Sequence, residues 1–275
     1  EIMRLVAATS DFGVSVGSVC LDYAKAAERK DAVVAALRDN VALMLSNAEI
    51  VTGEARFTAS DTVEVNGEVY TAPRIVIATG SRPASLDIPG AALAIDSDRL
   101  LAMDRLPASI AIIGGGVIGM EFACILSAFG VDVTVIEYCK EILPNFDRDI
   151  AKRLRTSLSR EGMKIITGSQ VTEITTEKRV EYIVKGKSAS VEVDEVLMAV
   201  GRRPVIPEGA EQIGISLSRG AIVVDDTFAT SVPGVYAIGD VNARMMLAHV
   251  ASAQGATVMG ADVNLGVMPA VAFTS

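Results

Sequence analysis

The chain has 275 residues, 50% of them hydrophobic and 21% charged, with three cysteines, one histidine and no tryptophan. That apolar share is ample for a core and excludes a disordered chain, and the length allows about two domains. Lys+Arg 25 against Asp+Glu 34 gives a formal net charge of −9, without a basic cluster that could follow a phosphate backbone, which argues against nucleic acid as a partner.

In chain order, the segment from Glu1 to Ala8 reads as the end of a helix already under way, so the chain is expected to be a fragment. From Asp22 to about Asn47, apolar Ala24, Ala27, Val33, Val34, Leu37, Val41 and Leu45 recur at helical spacing between charges, and this stripe is expected to be core packing. The period then changes to two. Ile50-Val51, Ala55 to Phe57, Thr62 to Val65 and Val69-Tyr70 read as short strands, with Asn66-Gly67 as a hairpin turn accepting positive φ at both positions. Arg74 to Gly80 reads as a buried strand entering a glycine turn, and a polar connection leads to a boundary near Leu106-Pro107.

A βαβ unit follows: apolar Ile110 to Ile113, the turn Gly114-Gly115-Gly116, a helix from Val117 to about Phe129 stopped by Gly130, and a strand Val133 to Ile136. The longest apolar stretch, Ser109 to Val131, contains these glycines and Glu121, so it is no lipid-facing helix and no membrane is expected. No signal peptide is visible, and a cytoplasmic location is the expectation. Asp147 is the N-cap of a further helix ending at Gly162, followed by strands at Lys164 to Thr167, Val171 to Thr175, Val180 to Val184 and Val191 to Ala199. After Gly201-Arg-Arg-Pro204 come strand Ala221 to Val224, the segment Gly234 to Asp240 and a helix from about Met246 to Gly260. Strands and helices alternate, and the fold class is α/β.

Gly114-x-Gly116-x-x-Gly119 stands between a strand and a helix, with Glu137 closing the next strand. In that context Gly114 permits the tight turn, Gly116 lets a pyrophosphate approach the backbone and Gly119 lets the helix pack on the sheet. The helix start offers N–H groups and partial positive charge to phosphates. Glu137 can accept from both ribose hydroxyls and would repel a 2′-phosphate, so the expected cofactor is NAD rather than NADP. The alternative is a structural glycine turn with an exposed strand-end acid.

On local pattern, Glu121 is either a carboxylate on the solvent face of its helix or a buried one in need of a partner. Thr79-Gly80 and Gly239-Asp240 each set a glycine and a polar group at a strand end, where ligands of open α/β sheets bind, and together they suggest a second ligand. His249 reads as a packing residue in an apolar helix start, with general base as the sharper alternative. Cys20, Cys124 and Cys139 are too scattered for a disulfide scaffold, a zinc site or a CxxC motif, so no metal is expected; Cys124 reads as a core residue and Cys139 as partly exposed.

Ala78-Thr-Gly-Ser-Arg-Pro83, Ile113 to Phe122, Val200-Gly-Arg-Arg-Pro204, Gly234 to Val241 and Met246 to Gly255 resemble, in order and spacing, the two-dinucleotide flavoprotein disulfide reductases, and within them the dihydrolipoyl dehydrogenase branch. The resemblance implies a Rossmann-like NAD domain inserted into an FAD domain: residues 1–106 and 204–266 for FAD, 107–203 for NAD and 267–275 as the start of a dimerisation domain. It assigns NAD to Gly114, Gly115, Gly116, Val117, Ile118, Gly119, Glu121, Glu137 and Gly201. It assigns FAD to Thr79, Gly80, Ser81, Asp240, Met246, Leu247, Ala248 and His249, with Gly53 to Ala55 near the adenine. Glu121 thereby takes a functional role beside the nicotinamide and flavin rings.

The implied reaction passes electrons between a dithiol, such as dihydrolipoamide or a lipoyl domain, and NAD through the flavin, in a homodimer of the full-length protein. The family also uses an N-terminal FAD-binding βαβ, a Cys-x4-Cys disulfide and a His-Glu pair, none of which this sequence contains. The chain is therefore expected to supply mainly the NAD site and to be inactive by itself in dithiol exchange. An NADH oxidase or peroxidase of the same superfamily, and a non-catalytic NAD-binding module, are the alternatives.

Overall fold

A computed structural model of the chain describes residues 2–274; Glu1 and Ser275, the outer ends of the first and last expected segments, lie outside them. In chain order the elements are α1 (Ile2–Ala7), α2 (Tyr23–Met44), β1 (Ala55–Ala59), β2 (Thr62–Val65), β3 (Glu68–Thr71), β4 (Ile75–Ile77), β5 (Ser81–Pro83) and α3 (Ser97–Leu101). Then come β6 (Ser109–Ile113), α4 (Val117–Ala128), β7 (Asp132–Ile136), α5 (Arg148–Arg160), β8 (Lys164–Ile166), β9 (Ser169–Ile174), β10 (Arg179–Val184), β11 (Lys187–Glu192) and β12 (Glu195–Met198). The last are β13 (Arg202–Pro204), β14 (Leu217–Ser218), β15 (Ala221–Ile222), β16 (Val235–Ala237) and α6 (Ala248–Val258). The class is α/β, with parallel sheets, and no helix among the described residues is long and apolar enough to cross a membrane.

The chain divides into two compact units: one runs to Met44, resumes over Pro83–Gly201 and includes the residues from Ala272, and the other holds Leu45–Arg82 and Arg202–Val271. The first is built on a parallel sheet in the order β12-β6-β7-β8. Both faces of that sheet are covered, which is why its strands read as almost continuous apolar runs. Ile110, Ile112, Val133, Val135 and Leu197 pack with Met120, Ala123 and Cys124 of α4 and with Ala151 and Leu158 of α5. Ala111, Ile113, Ile136, Val196 and Met198 point the other way, onto Val171, Ile174, Val180 and Tyr182 of the antiparallel sheet β11-β10-β9.

Helix α5 starts at the expected cap, where the Asp147 carboxylate accepts from the Asp149 and Ile150 amides, and both helices stop near left-handed glycines, Gly130 at φ +87° and Gly162 at φ +99°. The single expected strand Val191 to Ala199 is in fact two, because the antiparallel ladder ends at Glu192 opposite Arg179 while a parallel one starts at Glu195 opposite Ile110. The chain must change sheets between them. Leu100, Met103 and Leu106, which precede the expected boundary at Pro107, belong to the core shared by α4 and α5.

The second unit holds the hairpin sheet β1-β2-β3, with Asn66 at φ +54° and Gly67 at φ +85° in its turn, and the parallel pair β16-β4. Phe57, Ile77, Ile222, Val235 and Ala237 form its core. Ile50-Val51 is not a strand. The strand at Arg74 to Gly80 is only half-buried: β4 pairs with β16 alone, and Val76 on its outer face is 40% exposed.

Helix α2 forms where its period places it, but none of its residues is buried. Leu37 is 59% and Val41 55% exposed, so the expectation that this stripe is core packing does not hold. Periodicity reports an amphipathic helix and carries no information on what covers its apolar face. Only the start of α2 has described anchors: Tyr23 packs edge-on to Phe129, and the Lys30 ammonium donates to the Leu101 carbonyl at 2.7 Å.

Candidate functional site

Each unit carries one of the two groups of candidate residues. In the first unit, the glycine turn joins β6 to α4. The Gly114 amide donates to Ile136 O at 2.9 Å, and Gly114 itself sits at φ +110° with any added Cβ only 2.3 Å from Ala199 O. An added Cβ on Gly119 would stand 2.0 Å from Gly114 O, so the helix start and the turn are in main-chain contact. Gly116 faces open space and, as the N-cap of α4, offers no side chain to the first-turn N–H groups. Val117 and Ile118, which form that turn, are half-buried. A close backbone, an uncapped helix start and room above Gly116 make the cradle that a pyrophosphate requires, and the residues present fit the dinucleotide.

Glu137, 6% exposed, closes β7 beside this cradle. Its Oε2 accepts from the Gly115 amide and its Oε1 from the Cys139 amide at 2.5 Å. A carboxylate has about four acceptor positions; the two amides and the Cys139 thiol take three, which leaves one for a ligand hydroxyl. Its main chain is fixed as well, the amide donating to Ile166 O at 2.8 Å and the carbonyl accepting from the Ser169 amide at 2.9 Å. Gly115, a mere spacer in the motif, is structural: a Cβ there would lie 3.2 Å from the Glu137 carboxylate and 3.1 Å from Ile142. Cys139 is half-buried, and burial together with hydrogen bonding to Glu137 pushes its thiol up, away from thiolate reactivity.

Glu141 in the same post-β7 turn forks onto Arg155 of α5 at 2.7 and 3.1 Å. Burial raises its carboxyl, but Arg155 and the Ile142 amide outweigh that and hold it below the ordinary carboxylate range. Glu121, one turn into α4, is half-buried, and its Oε1 accepts from the Phe273 amide at 2.8 Å. Gly201, at φ +103°, is exposed and accepts from the Ala84 amide at 2.9 Å.

In the second unit the candidates gather around the end of β16. Ser81 Oγ donates to Asp240 Oδ2 at 2.5 Å. The Thr79 hydroxyl donates to Val205 O at 2.5 Å, and Gly80 O accepts from the Val205 amide at 2.9 Å. Asp240 stands in a short 3-10 turn held by buried Gln254, whose Oε1 accepts from the Gly239 amide at 2.7 Å and from Asn242 Nδ2 at 2.9 Å. A carboxylate fixed at a strand end, with Oδ1 unengaged by the described residues, suits a polyhydroxyl ligand such as the flavin nucleotide.

Met246 and Leu247 are half-buried and Ala248 begins α6, whose N-cap Leu247 supplies no capping side chain. His249 is exposed, so the packing reading fails; α6 turns Val250 and Gln254 inward instead. Ala55 is exposed on β1, and Gly53 packs so tightly on Asn66 that a Cβ would lie 2.6 Å from its amide oxygen. Motif reading missed Gln254, Asn242 and Arg202. The only signal for Gln254 was a polar residue four positions after Val250 in an apolar helix.

Residues 8–255 match the family pattern described as pyridine nucleotide-disulphide oxidoreductase. The chain is 38% identical to a dihydrolipoyl dehydrogenase of Acholeplasma laidlawii over 97% of its own length and 81% of that protein. It is 37% identical to one from Mycoplasma pneumoniae and 36% to one from Geobacillus stearothermophilus, spanning 58% and 60% of those proteins and 93% and 97% of this chain. Among solved structures, the HOCl-induced flavoprotein disulfide reductase RclA from Escherichia coli matches with a TM-score of 0.77 at 31% identity, over 85% of this chain and 56% of that one. The family match over residues 8–255 and the 38% identity along nearly the whole chain place it in the pyridine nucleotide-disulphide oxidoreductase family of flavoprotein oxidoreductases, with the FAD and NAD cofactors that membership implies.

Proposed function

We propose that this chain supplies the NAD site and part of the FAD site of a dihydrolipoyl dehydrogenase-like enzyme that moves electrons between a dithiol and NAD. The observation that carries this reading is the Glu137 carboxylate held by the Gly115 and Cys139 amides beside the uncapped start of α4. The proposed NAD segment, 107–203, contains β6, α4, β7 and β12, and 1–106 with 204–266 are the proposed FAD segments, followed by 267–275 of a dimerisation domain. A bound flavin would supply the two-electron relay between dithiol and nicotinamide. The chain's own part is to bind phosphate at Gly114, Gly115, Gly116, Val117, Ile118 and Gly119, and ribose at Glu137. Glu121 and Gly201 are proposed to line the nicotinamide end, and Thr79, Gly80, Ser81, Asp240 and the start of α6 to hold the flavin nucleotide.

The three cysteines support a division of labour, since Cys124 is buried, Cys20 exposed and Cys139 raised, and no two of them form a pair. Dithiol exchange, homodimerisation and a cytoplasmic location are proposals for the full-length protein. Titration of the 275-residue chain with NADH and NADPH tests the assignment. NADH is expected to bind and NADPH to bind at least about tenfold more weakly, with Glu137→Ala weakening NADH about 10- to 100-fold through loss of hydrogen bonds to a charged group. Equal affinity for both nucleotides, or an unchanged Glu137→Ala, overturns it.

A further inference from the structure

Arg202, the residue after Gly201, makes a contact that no motif assigns. Its Nε donates to Ser81 Oγ at 2.7 Å and its Nη2 to Ser81 O at 2.8 Å, so the guanidinium grips one serine by both of its oxygens. An arginine is donor-only, so Ser81 Oγ must accept from it. The single hydroxyl proton of Ser81 is then left to Asp240 Oδ2, at 2.5 Å. The order Arg202, Ser81, Asp240 is therefore directional, with the proton position set by chemistry and not by choice of rotamer.

No carboxylate among the described residues forms an ion pair with Arg202, so its charge reaches Asp240 through the polarised hydroxyl. Hydrogen bonds in such a chain reinforce one another, and an O–H bond to a carboxylate is among the strong ones. From the other side, the Asp240 main chain is fixed by the turn in which Ala243 N donates to Asp240 O at 3.0 Å and Gln254 holds Gly239. The carboxylate is thus clamped at backbone and at Oδ2, leaving Oδ1 as the acceptor for a ligand.

We infer that Arg202 is a positioning residue for the flavin nucleotide, acting through Ser81 to aim the Asp240 carboxylate at a ligand hydroxyl. This rests on the proposed assignment of Asp240 to FAD. Without the guanidinium, the Ser81 hydroxyl is free to rotate, and Asp240 loses its fixed donor. A lysine cannot restore the arrangement, because one ammonium lacks the planar fork that reaches both serine oxygens.

The test is the dissociation constant of FAD from the 275-residue chain, read by quenching of flavin fluorescence. Ser81→Ala and Arg202→Ala are each expected to raise it about tenfold, Ser81→Thr to stay within about threefold of the original, and Arg202→Lys to behave like Arg202→Ala. On an Asp240→Ala background, Ser81→Ala and Arg202→Ala are expected to add nothing, an outcome that a general structural role does not produce. Far-UV circular dichroism and amide protection in β4 and β16 report folding of the altered unit, and NADH titration reports that the other unit, which holds Glu137 and the glycine turn, is undisturbed. If Arg202→Ala does not fold, Ser81→Ala, which removes one oxygen, carries the test. Undiminished FAD binding in Ser81→Ala, additive losses on the Asp240→Ala background, or Ser81→Thr no better than Ser81→Ala each overturn the inference. Absence of FAD binding in the unaltered chain, or an unaffected Asp240→Ala, overturns instead the assignment of FAD to Asp240, and the inference with it.

Discussion

Glu137 was legible as a strand-end acid after a glycine turn, but its two main-chain donors were not. Gly115 and Cys139 lie on different loops, and only the closing of the parallel sheet brings their amides to one carboxylate. The same turn holds the Glu141–Arg155 pair, with side chains 15% and 31% exposed. The Glu141 carboxyl is held below its ordinary range, so the pair stabilises the fold above the usual carboxylate pKa and loses that contribution as pH falls through the lowered value. Glu141→Gln is expected to cost about 1 kcal/mol near pH 7 and progressively less in acid, where the native carboxyl also becomes neutral. Urea unfolding at pH 7 and pH 3 checks this; a loss independent of pH would mean that packing, not charge, is what the substitution removes.

At the scale of elements, caps and glycine stops located α4 and α5 closely, because each is decided by neighbours a few residues away. The division of Val191 to Ala199 between β11 and β12 was not legible, since both halves have strand composition and only the partners Val180 and Ala111 separate them. Packing of α4 on the glycine turn yields a sharp expectation. Gly119→Ala forces a methyl to within 2.0 Å of Gly114 O, a main-chain atom that cannot rotate away. The helix must move off the sheet, so NADH titration of Gly119→Ala is expected to show binding weakened by at least about tenfold, whereas Gly130→Ala, with open space around it but φ at +87°, loses stability and keeps NADH affinity. Equal NADH affinity in the Gly119→Ala and unaltered chains would contradict this account.

Across the whole molecule, two units have separate cores, one around Ile112, Met120 and Leu158 and the other around Phe57, Ile222 and Val235. Ile112→Ala, at a fully buried site, is expected to destabilise its unit by about 2–5 kcal/mol, and Val235→Ala to weaken the other by a smaller amount in proportion to the methyl groups removed. Hydrogen exchange checks this by element: Ile112→Ala should lose amide protection in β6 and β7 first, and Val235→Ala in β4 and β16 first. Uniform loss of protection in both would show that the cores open together.

The sequence by itself determined the α/β class, the glycine turn with its acid, and the two strand ends that carry Thr79-Gly80 and Gly239-Asp240, because these depend on spacing along the chain and on φ preferences of single residues. It also marked α2 as a helix, yet could not show that its apolar residues stay exposed. Tertiary structure alone decided which donors meet Glu137, that His249 faces outward and that Arg202 reaches Asp240 through Ser81. Those outcomes join residues far apart in the chain, as Ser81 and Arg202 are, and side-chain chemistry at such separations acts only after folding has brought the partners within hydrogen-bond distance.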